Sequence, residues 1–238
     1  MLPIRSEWID LRAEDGTTFR AWIARPVGVA HPPGLLVLQE VFGVNAHMRD
    51  LTERWAREGF LAICPELFHR TAPAFDAPYS DLAGARAEAA QLTLEGLDAD
   101  FRACAAWLTT QGADRQAAVG YCMGGRMAFL AHTTLPLRAA ISCYGGMIPQ
   151  HLDRLPRLSG PHLFLWGGKD TAITWEQRPA LEQALLEAGK PFASLIYSEA
   201  PHGFFCDARP EHFHPESARQ GWAASLAFLR EHLGLERE

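Results

Sequence analysis

Six short apolar runs punctuate this chain, and apolar residues recur at helical spacing between them. The runs cover residues 35–38, 60–64, 117–119, 139–143, 162–166 and 193–197. Runs this short and continuous suit strands buried on both faces of a parallel sheet. Such a sheet needs covering helices, and the intervening segments supply them. Leu97, Phe101, Cys104 and Leu108 fall on one helical face, and so do Leu181, Ala184, Leu185 and Ala188. A last helix places Trp222, Leu226, Leu229 and Leu233 on one stripe. Strand alternating with helix predicts a doubly wound α/β domain: a mostly parallel, twisted sheet with helices on both faces. Ahead of it, residues 7–11 and 18–24 predict an antiparallel hairpin turned by Asp15-Gly16. No polar linker divides the chain, so one domain over residues 1–238 is expected; residues 71–80 form a looser surface crossing.

The chain has 238 residues, 48% of them hydrophobic, enough for a large buried core. A net charge of −6 argues against a nucleic-acid surface. No apolar run reaches about 18 residues, so no membrane span is expected. The N-terminus lacks a basic stretch followed by an apolar one, which predicts no signal peptide. Cys64, Cys104, Cys122, Cys143 and Cys206 are odd in number and scattered, as free thiols in a reducing cytoplasm would be. Oligomeric state is left at monomer or small homo-oligomer.

Reactive chemistry gathers at the carboxyl ends of strands in such sheets. Gly120-Tyr121-Cys122-Met123-Gly124-Gly125 lies between an apolar run and a helical segment at residues 126–132. A Gly-x-nucleophile-x-Gly sequence in that setting is a nucleophile elbow, here with cysteine as the nucleophile. Glu40 follows the first parallel run, Asp170 follows Trp166-Gly167-Gly168-Lys169, and His202 follows the last run. Nucleophile, acid, histidine is the chain order of an α/β-hydrolase triad. His202 would take the thiol proton and later activate water. Asp170 would fix the imidazole tautomer. The backbone N–H of Met123 would supply one oxyanion donor and that of Val41 a second.

Taken singly, each residue has a plainer reading. Cys122 is a core thiol, Asp170 a helix cap, His202 a loop histidine, and Glu40 a surface acid. Their joint placement at strand ends favours the triad. His212 and His214 form a His-x-His between prolines with no third ligand, so no metal is expected. Cys64, Cys104 and Cys143 read as core. Phe42, Tyr144, Phe204 and Phe205 flank the site in sequence, some as core and some as walls of a small apolar pocket.

The chain resembles the dienelactone hydrolase family of the α/β-hydrolase fold. Gln39-Glu40-Val41-Phe42-Gly43, Cys64-Pro65-Glu66-Leu67, the cysteine elbow, Tyr144-Gly145, Trp166-Gly167-Gly168-Lys169-Asp170 and His202-Gly203-Phe204 carry the resemblance. It implies a Cys122–His202–Asp170 triad, with Glu40 helping to generate thiolate. It implies enol-lactone cleavage without a cofactor. It also implies two arginines for the substrate carboxylate. Here one of those positions is Cys206, and the nearest candidate for the other is Arg86, with Arg70 and Arg209 as substitutes. The expected function is a cysteine hydrolase of small activated esters or lactones, acting through a thioester. The alternatives are a general carboxylesterase or thioesterase, or a non-catalytic binding or redox-sensing relative.

Overall fold

Asp15-Gly16 turns the chain between β1 (Ile4–Arg12) and β2 (Thr18–Pro26) in the computed structural model of this protein. The structure describes residues 1–173 and 175–235. Gly16 has φ 85°, the left-handed conformation that glycine adopts without steric cost. The hairpin register pairs Trp8 with Trp22, whose rings meet edge to face at 5.3 Å. The guanidinium of Arg20 lies 4.5 Å above the Trp8 ring.

The chain resolves into two compact units, Met1–Gln116 and Ala117–Glu238. In the first, β2 pairs antiparallel with β4 (Leu61–Pro65), and β4 pairs parallel with β3 (Gly34–Leu38). Helix α1 (Ala46–Arg57) packs on β2 and β4. It is capped by Asn45, whose side chain accepts the Met48 N–H at 3.0 Å. After α2 (Leu82–Ala89) comes α3 (Leu94–Thr110), capped by Thr93. Leu97, Phe101, Cys104 and Leu108 are all buried, as their spacing predicts. Residues 71–80 contain neither helix nor named strand.

Asp100 on the same helix is also buried, which apolar periodicity does not flag. Both its oxygens lie 3.1 Å from His69 Nε2. They also accept from Arg70 at 2.8 and 2.9 Å. Arg70 reaches Asp15 as well, at 2.7 and 2.9 Å. These bonds, to Asp100 first, hold the Arg70 guanidinium charged against the cost of its partial burial. Arg70 is therefore committed to two carboxylates of its own unit.

The second unit is built on four parallel strands: β5 (Gln116–Tyr121), β6 (Ala139–Cys143), β7 (His162–Gly167) and β8 (Phe192–Tyr197). Helix α4 (Met123–Thr134) packs on β6. A 3-10 segment (Ile148–Arg157) packs on α4 and on α5 (Gln177–Glu187). Helix α6 (Pro215–His232) lies on β6 and β7.

Two expectations are corrected here. β8 is not buried on both faces, since Leu195 and Ile196 are exposed on it. In α6 the fully buried line is Ser217, Gly221, Ser225 and Leu229; Trp222 and Leu226 are only half-buried. At Gly221 the absence of a side chain matters because Phe205 presses on it. A Cβ at Gly221 would lie 2.8 Å from Phe205 Cζ. Among the described residues, no helix is long and apolar enough to cross a membrane.

Candidate active site

Cys122 sits where β5 turns into α4, with φ 57° and ψ −119°. A positive φ is costly for a side chain with a Cβ, and such conformations persist only where surrounding contacts impose them. The contacts are evident. The Cys122 N–H donates to the Cys143 carbonyl at 3.1 Å, and the Gly125 N–H donates to the Cys122 carbonyl at 2.9 Å. A Cβ on Gly120 would stand 1.8 Å from the Gly124 carbonyl oxygen, and one on Gly125 would stand 2.7 Å from Gly145 Cα. The glycines of the motif are thus demanded by backbone packed on backbone.

A chain of four hydrogen bonds anchors the start of α4. The Gly160 N–H donates to His132 Nε2 at 3.2 Å, so His132 carries its proton on Nδ1. That proton faces His162 Nδ1 at 3.2 Å. His162 must then donate from Nε2 to Ser142 Oγ at 2.9 Å. The Ser142 hydroxyl donates to the Gly125 carbonyl at 2.5 Å. Every bond is made only if both imidazoles are neutral. Burial enforces this, lowering the pKa of His132 to about 4 and that of His162 well below its ordinary value.

Asp170 follows β7 across a tight glycine turn. Its Oδ1 accepts the N–H groups of Ala172 and Ile173 at 2.8 and 3.0 Å, while its Oδ2 lies 2.8 Å from His202 Nδ1. One oxygen thus holds the bend after Asp170 and the other holds the histidine; Asp170 is not a helix cap, because the next helix, α5, begins only at Gln177 behind Glu176. His202 Nε2 lies 3.1 Å from Cys122 Sγ. Burial pulls the His202 pKa down, but hydrogen bonds to Asp170 and Cys122, with their charges, raise it to about 10. At neutral pH the ring is an imidazolium, donating to the carboxylate on one side and to sulfur on the other. Structure thus brings Cys122, Asp170 and His202 together within one unit.

The rings of Tyr144 and Phe204, two of the aromatics expected near the site, are fully buried. Tyr144 meets His202 at 5.1 Å and Phe204 at 5.2 Å, edge to face. The two pack behind the imidazole as core. His212, which its sequence marks only as half of a His-x-His pair, lies with Nδ1 3.0 Å from the His202 carbonyl and steadies that loop. His214 caps α6 through Ser217. Met123 begins α4 and is buried.

In the first unit Glu40 is buried, and its Oε2 has no hydrogen-bond partner among the described residues. Val41 and Phe42 are buried beside it in sequence, Phe42 meeting Tyr79 at 4.9 Å. Arg86 is exposed in the last turn of α2. Arg209 lies 3.6 Å from Glu211, and Cys206 is buried. Burial raises the Cys64 thiol to about 12 and those of Cys104 and Cys143 well above their ordinary value, so all three stay protonated. A cavity of about 160 Å³ opens beside Asp170, lined also by Trp166, Ile173, Trp175 and Arg178.

The model of the dienelactone hydrolase family matches residues 19–233. The chain belongs to the dienelactone hydrolase family. Its relatives include a Yersinia pestis protein named provisionally as a carboxymethylenebutenolidase. The two are 35% identical over 91% of this chain and 85% of the relative. A crystal structure from Klebsiella pneumoniae, provisionally titled a dienelactone hydrolase, superposes with a TM-score of 0.88. It is 32% identical, over 95% of this chain and 98% of that one. A thermostable esterase from Pseudomonas putida shares the fold at 15% identity, with a TM-score of 0.74 over 98% of this chain and 84% of its own. This member of the dienelactone hydrolase family has the α/β-hydrolase fold and is a hydrolase acting on ester or lactone bonds.

Proposed function

We propose that this dienelactone hydrolase family member cleaves small activated esters or enol lactones with Cys122 as nucleophile, through a thioester. The observation that carries this reading is the relay from Asp170 Oδ2 through His202 to Cys122 Sγ, at 2.8 and 3.1 Å. Sulfur beside an imidazolium, at the positive end of α4, is set up to react as thiolate. It attacks the carbonyl carbon, and the oxyanion is held by the Met123 N–H, left free of intrahelical bonding at the start of a helix. The C–O bond breaks, and His202 gives its Nε2 proton to the departing oxygen. Neutral His202 then takes a proton from water, whose oxygen attacks the thioester and frees the acid product and Cys122. A thiolate expels enolates and phenolates readily and alkoxides poorly, which selects activated substrates. No cofactor enters the scheme. For Val41 as a second oxyanion donor and Glu40 as a partner in thiolate formation, the proposal rests on the family resemblance.

Cys122→Ala, assayed on nitrophenyl esters and a panel of lactones, is expected to lose at least a thousandfold in kcat/KM, as other nucleophile deletions do. Near-wild-type turnover by that variant would remove the reading.

A further inference from the structure

Among the described residues, the cavity of about 160 Å³ beside Asp170 is lined by neither Cys122 nor His202. Its walls come from the end of β7, the loop that follows and the start of α5: Trp166, Asp170, Ile173, Trp175 and Arg178. Hydrogen bonds fix those walls. Trp166 Nε1 donates to Ser194 Oγ at 2.9 Å, and the Ser194 hydroxyl donates to Glu182 at 2.5 Å. Arg178 Nη1 donates to both Glu182 oxygens, at 3.0 and 3.1 Å. With its N–H engaged, Trp166 offers the cavity only apolar ring. Arg178 Nε is different: it is fully enclosed and has no acceptor among the described residues. A buried donor left this way is costly to the protein alone and favours a ligand that brings the acceptor.

Trp175 completes the frame. Its indole is 59% exposed, unusual for this residue, and carries the Arg178 guanidinium over its ring, with Cζ 4.7 Å from the centroid. Size and chemistry together define what fits. An apolar cavity of about 150 Å³ takes up one benzene ring. Indole faces favour a planar ring over an aliphatic one, and a single enclosed N–H calls for a single acceptor atom. An anion is disfavoured, because Glu182 already answers the Arg178 charge and the Asp170 carboxylate lines the same space.

We propose that this cavity is a second ligand site, which takes a neutral single-ring phenol with its ring against Trp166 and Trp175 and its oxygen accepting from Arg178 Nε. Asp170 forms part of the wall, so occupancy bears on the acid that orients His202. The ligand therefore acts on turnover without touching Cys122. Phenols are also what an activated aryl ester releases, so product restrains the enzyme at this site. That consequence rests on the reading of the enzyme as a hydrolase of activated esters; the binding does not.

The seven tryptophans give seven indole N–H signals by NMR in an isotope-labelled sample. Phenol titrated to millimolar concentration should shift those of Trp166 and Trp175, assigned with Trp166→Phe and Trp175→Phe. No movement, or movement at other indoles alone, overturns the proposal. Cyclohexanol lacks the planarity of phenol and benzoate its neutrality, and each should bind roughly tenfold more weakly. Benzoate binding as tightly as phenol overturns the proposal. Arg178→Met keeps the stem without Nε and should weaken phenol roughly tenfold; an unchanged affinity overturns the proposal. If that variant does not fold, Trp175→Ala, at an exposed position, should show the same weakening. In Cys122→Ala the two shifts should persist, and their loss would place phenol at the nucleophile instead. With 4-nitrophenyl butyrate as substrate, phenol should lower kcat and leave KM unchanged; a rise in KM alone, or an unchanged kcat, overturns the link to turnover. If Cys122→Ala still hydrolyses the ester while phenol moves the two indoles, the nucleophile assignment fails and the second site stands.

Discussion

Asp170 divides its two oxygens between backbone and imidazole, and the division can be tested by chemistry. Asp170→Asn keeps an acceptor for the Ala172 and Ile173 N–H groups but removes the charge that holds the His202 tautomer. It should fold with near-wild-type stability and lose about a thousandfold or more in kcat, measured on a nitrophenyl ester. A loss under tenfold would show that the charge is dispensable. At this scale the sequence was informative where a residue has a motif around it. Cys122 has its glycines, Asp170 its Gly-Gly turn and His202 its Gly-Phe. The sequence was silent on His212, which acts through the backbone carbonyl of His202, because no motif records a bond to main chain.

The six apolar runs became strands to within a few residues, whereas the periodicity reading did not single out α1 or α2. The apolar run at 162–166 became His162–Gly167, and that at 139–143 became Ala139–Cys143 without change. Periodicity failed where size, rather than polarity, decides burial. α6 turns Ser217, Gly221 and Ser225 inward, and at Gly221 there is no room for a side chain beside Phe205. A run of apolar letters likewise cannot say that β8 leaves Leu195 and Ile196 exposed. The link from α4 through β6 to β7 belongs to this scale, and it carries a pH signature. His132 and His162 are neutral when folded, while the unfolded chain protonates histidine near 6.5. The unfolded state therefore binds more protons as pH falls below that value, and stability falls with it. The His132 contribution is present above 6.5 and is lost progressively toward about 4. By pH 5 that amounts to about 2 kcal/mol. Denaturant unfolding at pH 7.5 and pH 5 should show wild type losing more stability than His132→Gln by an amount of this order. Equal losses would mean that His132 is not held neutral.

For the molecule as a whole, the five thiols are distributed unevenly. Cys64, Cys104, Cys143 and Cys206 are buried, and Cys122 alone is partly open. A chromogenic disulfide reagent should therefore consume one equivalent of thiol rapidly in the native protein, five in denaturant, and none rapidly in native Cys122→Ala. A second fast equivalent in the native state would contradict the burial. The arrangement gives the enzyme a built-in gauge. The fast equivalent counts competent active sites in a preparation, and the four slow ones act as clocks for its unfolding, each exposed only when the packing around it opens. One reagent would thus report both how many molecules can work and how long they remain able to.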